Sequence, residues 1–263
     1  MRRAVIASVV LVVSTSSALT ACSSGGAGDT TPTTPTTVVT VTRSPSSAPT
    51  TTSSSAAAAA YTASSTRVTG RTDRSSYDVT IPQLAGGKQS VTAEFNQSMR
   101  AALQDQIDAD YSGLSFTLRD GYRNGPFHIG SRVVSAELIS YWTANPPGAH
   151  GDSLLATVTI DTDTATPITL SDAFGDLDTG LRRLSQEAAR ILPTTVVGDR
   201  YERSGITPTE KNFANWTASP QGMVIHFGDY QVGAYADGLI DITIPWSDLS
   251  DVLAPGMQDV LSS

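Results

Sequence analysis

Met223-Val224-Ile225-His226-Phe227, Tyr230-Gln231-Val232-Gly233-Ala234 and Leu239-Ile240-Asp241-Ile242-Thr243-Ile244 follow one another with only short breaks between them. Each has strand length and is rich in β-branched and aromatic residues. Gly228-Asp229 and Tyr235-Ala236-Asp237-Gly238 separate them, and Asp-Gly is a turn signal. Gaps this short suit antiparallel neighbours, because a parallel crossover needs a dozen or more residues. The three segments are therefore expected to be sequential antiparallel strands.

Upstream, the same alternation recurs. Tyr77, Val79 and Ile81 alternate with polar residues up to Pro82, and Leu114, Phe116 and Leu118 alternate before a glycine-flanked turn at Gly121 to Gly125. Arg132 to Trp142 is β-rich and ends at Asn145-Pro146-Pro147-Gly148, and Leu154 to Asp161 is another strand. Between Ser90 and Asp110, Val91, Phe95, Met99, Ala102, Leu103 and Ile107 recur at three and four residues, the spacing of an amphipathic helix. A second helical region opens at Ser171-Asp172-Ala173-Phe174 and runs through Leu177, Leu181, Leu184, Ala188 and Ile191 to Pro193. A short helix closes the chain from Trp246 to Leu253. The expected fold is α+β, a mostly antiparallel sheet packed with two amphipathic helices in a single domain.

The N-terminus reads differently. Arg2 and Arg3 precede an apolar run from Ala4 to Val13 and small residues to Ala18. That is the layout of a secretory signal peptide. Leu19-Thr20-Ala21-Cys22 matches the bacterial lipobox, in which the cysteine takes a diacylglycerol thioether. Residues 1–21 are thus expected to be a lipoprotein signal peptide, with Cys22 the lipidation site. The apolar run is shorter than the roughly twenty residues a spanning helix needs. The mature chain is expected to be tethered to the extracytoplasmic face of the cell membrane, and two acyl chains make such attachment stable. Cys22 is the only cysteine, so no disulfide or thiolate metal site is expected. From Ser23 to Thr66, 23 of 44 residues are Ser or Thr. Residues 22–70 read as a disordered, glycosylatable stalk and residues 71–258 as the folded domain.

The formal charge is −8, and loss of Arg2 and Arg3 leaves 15 basic against 25 acidic residues. Such a chain repels phosphate backbones, so nucleic acid is excluded as a partner. Only Lys88 and Lys211 are lysines, an Arg bias that fits a GC-rich, actinobacterial genome.

Gly148-Ala149-His150-Gly151, a following strand, and Ile168-Thr169-Leu170-Ser171-Asp172-Ala173-Phe174 resemble the first half of the DUF3298 domain. Val224 to Val232, Ala234-Tyr235-Ala236-Asp237-Gly238 and Ile242-Thr243-Ile244-Pro245 resemble its second half. Tyr77 to Leu84 and the following helix resemble the small module that precedes it. The resemblance implies kinship with ectodomains of RsiV-type anti-sigma factors, whose partner is the basic protein lysozyme. Here Thr162-Asp163-Thr164 stands where the family often has Asn before a turn.

Several residues could carry chemistry. Gly151-Asp152-Ser153-Leu154 spells a serine-hydrolase string, and a nucleophilic Ser153 would need His150 or His226 as base. The string falls mid-domain, at an expected turn, so an ester or wall-glycan hydrolase is the alternative reading. His128, His150 and His226 lack ligand spacing, so neither metal nor cofactor is expected. Asp172 reads as a helix-start residue rather than one of a glycosidase pair with Asp176. Tyr230 and Tyr235 read either as rings packed between sheet and helix or as an exposed patch. The favoured function is a binding module for a basic extracellular protein or cell-wall glycan, in a monomeric chain. The loops Asn145 to Ser153 and Tyr230 to Gly238 would carry it through His150, Asp152, Asp229, Tyr230, Tyr235 and Asp237, since loops on a rigid sheet carry function.

Replacing Cys22 by Ala should abolish lipidation and leave an unprocessed precursor. Detergent phase partitioning checks this: the variant is expected in the aqueous phase and the parent in the detergent phase.

Overall fold

A computed structural model of the chain describes residues 60–263. The expected signal peptide, Cys22 and the stalk up to residue 59 lie outside the described residues. In chain order the elements are β1 (Thr62–Arg71), β2 (Ser75–Ala85), α1 (Gln89–Asp108), β3 (Ser115–Asp120), β4 (Phe127–Ile129), β5 (Val133–Asn145) and β6 (Asp152–Asp161). Then follow β7 (Thr166–Pro167), α2 (Leu170–Ala173), α3 (Leu177–Ile191), β8 (Trp216–Ala218), β9 (Gly222–Phe227), β10 (Ile240–Pro245), α4 (Trp246–Leu249) and α5 (Met257–Leu261). The class is α+β, as expected, with every strand pair antiparallel except β2–β3. No helix among the described residues is long and apolar enough to cross a membrane.

Two sheets form. The large one runs β1-β2-β3-β5-β6-β7, with β4 also pairing β5, and the small one runs β10-β9-β8. Helix α1 buries Val91, Phe95, Met99, Leu103 and Ile107 at fourfold spacing. These side chains join Val79, Ile81, Phe116, Leu118, Val134, Ala136, Leu138, Val158 and Ile160 in one core. A second core gathers Leu181, Leu184 and Ala188 of α3 with Met223, Ile225, Phe227, Ile240, Ile242 and Ile244 of the small sheet. Each fully buried aliphatic or aromatic side chain contributes about 1.5–3 kcal/mol.

Local signals explain the helix starts. Thr169 and Asp172 make a reciprocal capping box, the Thr169 N–H donating to Asp172 Oδ2 at 2.9 Å. Asp176 caps α3 by accepting the Thr179 N–H at 2.9 Å. Both aspartates of the hypothetical glycosidase pair are therefore engaged in caps.

Several boundaries move. Thr62–Arg71, all but its last residue expected in the stalk, is a strand paired with β2 along its whole length, so folded structure begins before Arg71. It also extends past Gln258, since Val260 and Leu261 of α5 are buried. Pro82 does not end β2. It lies beyond the last β2–β3 pair, Asp78 with Arg119, where no β3 partner needs its missing N–H. The second helical region is two helices broken at Phe174-Gly175, and Trp246 to Leu253 is helical only to Leu249. Tyr230 to Ala234 is no strand. Tyr230 has φ +63, the left-handed region, which a pleated strand cannot include. In the turn after β6 it is Asp161 that accepts the Asp163 and Thr164 N–H groups, while Asp163 pairs with Arg132.

A chain starting at Arg71 loses β1 and leaves β2 as an edge strand. Compared with a chain starting at residue 60, it should be less stable by about 1–3 kcal/mol, read from the midpoint of chemical denaturation.

Candidate functional site

The site grows from the alternation of β5. A strand sends successive side chains to opposite faces. Val134, Ala136 and Leu138 pack into the core under α1, while Ser135 and Glu137 meet the small sheet. The small sheet alternates in the same way. Ile225, Phe227, Ile240 and Ile242 join the α3 core, and Thr217, His226 and Asp241 turn back toward β5. The two sheets thus meet along a polar seam. Ser135 Oγ lies 2.7 Å from Thr159 Oγ1 and accepts the Ala218 N–H at 3.1 Å, and Thr157 Oγ1 accepts the Trp216 N–H at 3.2 Å.

Further along the seam lies a charged cluster. His226 Nδ1 is 2.9 Å from Asp241 Oδ1 and 3.6 Å from Glu137 Oε2, and its Nε2 is 2.8 Å from Thr217 Oγ1. Arg123 contacts Asp241 at 2.8 Å and Glu137 at 3.6 Å. Glu137 is 1% exposed, and neither carboxylate oxygen receives a hydrogen bond. Burial pushes its carboxyl up to about 6, against the opposing pull of His226 and Arg123. Burial also raises Asp241, but the His226 hydrogen bond and the charges of His226 and Arg123 outweigh it and hold that carboxyl below its ordinary value. The Arg123 loop lies flat on β5: Pro126 O accepts the Glu137 N–H, and a Cβ on Gly125 would strike the Glu137 carbonyl oxygen.

Where β5 leaves the seam, Tyr141 continues the same face. Its hydroxyl accepts the Gly151 N–H at 2.8 Å and lies 3.0 Å from the Tyr235 hydroxyl. A Cβ on Gly151 would collide with the Trp142 carbonyl oxygen, so only glycine brings this loop so close. The His150 ring stacks on Tyr235 with centroids 4.2 Å apart, and Tyr230 stacks on Tyr235 at 5.5 Å. Tyr230 Oη is 3.2 Å from His150 Nε2. Tyr122, 78% exposed, lies against Tyr141 at 4.6 Å. The Tyr141 hydroxyl raises the Tyr235 phenol above its ordinary value. Asp229 Oδ2 accepts the Ser153 N–H at 2.7 Å, which ties the β9–β10 connection to β6. A cavity of about 280 Å³ opens here, lined by Tyr122, Arg123, Ser153, Asp229, Tyr235 and Asp237.

Folding thus gathers the six candidate binding residues from two loops into one face, with Asp152 3.8 Å from His150 and Asp237 in the cavity wall. Tyr230 is 54% exposed and Tyr235 half-buried, so these rings do not pack between sheet and helix. Trp216 is buried in β8, and Trp142 lies in β5 beside Tyr111. The hydrolase set does not assemble. Asp152 and Ser153 lie in β6 rather than a turn. His226 is buried in the seam with both nitrogens engaged, while His150 Nδ1 faces Gly151 O at 2.9 Å and its Nε2 faces Tyr230. Neither ring is hydrogen-bonded to the Ser153 hydroxyl. His128 faces the Ser263 carbonyl oxygen.

Glu137, Arg123, Thr217, Asp241, Tyr122 and Tyr141 escaped the sequence reading. Glu137 had a signal: it is the one charged residue between Val133 and Trp142, and a carboxylate inside an apolar strand needs a partner. The others had none.

Residues 174–247, which span α3, the small sheet and the start of α4, match the family model described as "Protein of unknown function (DUF3298)". A DUF3298 family member from Bacteroides fragilis NCTC 9343 superposes with a TM-score of 0.46 at 14% identity, covering 78% of this chain and 99% of that one. A DUF3298 family protein from Pseudomonas aeruginosa PAO1 gives 0.48 at 14% identity, covering 76% and 96%. No curated protein matches the chain.

Tyr141→Phe removes the acceptor that holds the Gly151 loop and should cost about 1–2 kcal/mol of stability. Ser153→Ala should stay within about 0.5 kcal/mol of the parent. Urea unfolding of both variants checks the contrast.

Proposed function

We propose that the chain is a lipid-anchored extracytoplasmic binding module, held through Cys22 and a Ser/Thr-rich spacer, whose ligand is an extracellular protein with a basic surface. The carrying observation is the convergence of His150, Tyr230, Tyr235 and Tyr122 with Asp152, Asp229 and Asp237 on one exposed face. Aromatic faces attract Arg and Lys heads, and carboxylates at the rim steer them in. Tyr230 supports the reading from the backbone. A bulky residue at positive φ is strained, and such strain concentrates at ligand-contacting sites. The net charge of −8 favours the same partner chemistry. The resemblance to anti-sigma ectodomains makes a lysozyme-like muramidase the first protein to try.

A cell-wall glycan is the second reading, favoured by the exposed Tyr122 ring beside carboxylates that can accept sugar hydroxyls. For a hydrolase that uses Ser153, neither His150 nor His226 is hydrogen-bonded to the serine as a base.

The test separates these. Association with a basic muramidase should fall steeply with added salt, and Asp152→Asn with Asp229→Asn should slow it about tenfold at low salt while the circular dichroism spectrum stays unchanged. Salt-independent binding, competed by soluble wall fragments, would replace the protein ligand with the glycan.

A further inference from the structure

Beyond the surface face, we propose that Glu137, His226 and Asp241 form a binding site for one divalent transition-metal cation of the zinc class. The three residues come from β5, β9 and β10, and one ligand atom from each lies within 4.8 Å of the others. One imidazole nitrogen and two carboxylate oxygens are a zinc-type donor set, whereas calcium and magnesium prefer all-oxygen shells.

Glu137 carries the inference furthest. Its carboxylate is fully shielded from solvent, accepts no hydrogen bond, and faces His226 Nδ1 at 3.6 Å. A carboxylate buried without donors is costly unless a cation sits against it. The nearest guanidinium nitrogen, on Arg123, is also 3.6 Å away, beyond hydrogen-bond reach.

His226 points the same way. When its Nε2–H donates to Thr217 Oγ1, Nδ1 presents a lone pair to Asp241 at 2.9 Å and Glu137 at 3.6 Å. In that tautomer Nδ1 is free to ligate a cation between the two carboxylates. In the other, Nδ1–H donates to Asp241 and the Thr217 hydroxyl donates to Nε2, and the cation takes the place of the Nδ1 proton. The surrounding contacts have the form of outer partners that orient metal ligands. Thr217 fixes the far side of the imidazole, and Arg123 grips Asp241 from outside at 2.8 Å. The two carboxylates balance a divalent charge, and Arg123, about a third exposed, pairs with Asp241 at 2.8 Å at the edge of the cluster. Three protein ligands leave a further coordination position for water or another donor.

The experiment uses the full chain, stripped with chelator and titrated with zinc chloride by calorimetry and with cobalt(II) by visible absorption. One equivalent should bind, with cobalt bands of tetrahedral or five-coordinate type. Glu137→Gln and Asp241→Asn, which keep side-chain shape, should each weaken zinc at least about tenfold. His128→Ala, outside the cluster, should bind like the parent. If His226 variants fail to fold, histidine nitrogen chemical shifts of the parent serve instead: zinc should shift Nδ1 of His226. Three results would overturn the proposal: no zinc or cobalt uptake, uptake indifferent to Glu137→Gln and Asp241→Asn, or a His226 doubly protonated and unmoved by zinc.

Discussion

The constraint on which the structure depends is that β5 is buried on both faces and only one of them is apolar. Val134, Ala136 and Leu138 fill the core under α1, while Ser135 and Glu137 need polar partners inside the protein. Ala218 and His226 of the small sheet provide them, together with Thr159 of β6 and Arg123 of the loop before β4. The packing of one sheet on the other is therefore specified by hydrogen bonds and charges as well as by shape. A register slip of one residue would drive Glu137 into the α1 core and Leu138 into the seam, so the pairing of β5 with β3 and β6 is strongly fixed.

The surface face inherits its geometry from that seam. Tyr141 is the next outlet of the β5 face that carries Ser135 and Glu137, and its hydroxyl holds the Gly151 loop and Tyr235 together. Arg123 borders both regions, contacting Asp241 and Glu137 on one side and lining the Tyr122–Tyr235 cavity on the other. Loops alone would place aromatic rings loosely. Anchored to a buried strand on one side and to Ser153 through Asp229 on the other, they form a pre-organised stack. A ligand that contacts Tyr122 or Tyr235 therefore acts one residue away from the charged cluster.

Stability is divided between two apolar cores that share the large sheet and the seam between the sheets. Strand β1 adds only Val68, half-buried, to the edge of the core under α1. Its side chains are mostly exposed, and it contributes backbone pairing to β2 along its length. That explains why a Ser/Thr-rich segment can be ordered at all: the ladder replaces the side-chain burial that its composition lacks.

By itself the sequence determined the local elements, because their signals are local. The fourfold spacing from Val91 to Ile107 marks α1, the alternation in Met223–Phe227 and Leu239–Ile244 marks two strands, and Asp172 marks a helix start. It also pointed to the two loops whose residues meet at the surface. Tertiary structure decided what those signals cannot carry. Thr62–Arg71 became a strand because β2 offered an edge, and Tyr230 left the strand pattern because its backbone turned left-handed. The meeting of Glu137, His226 and Asp241 across strands far apart in the chain follows from which faces two sheets bury against each other. No spacing along the chain encodes that, since the physical cause is the layering of the sheets and the cost of leaving a buried carboxylate alone.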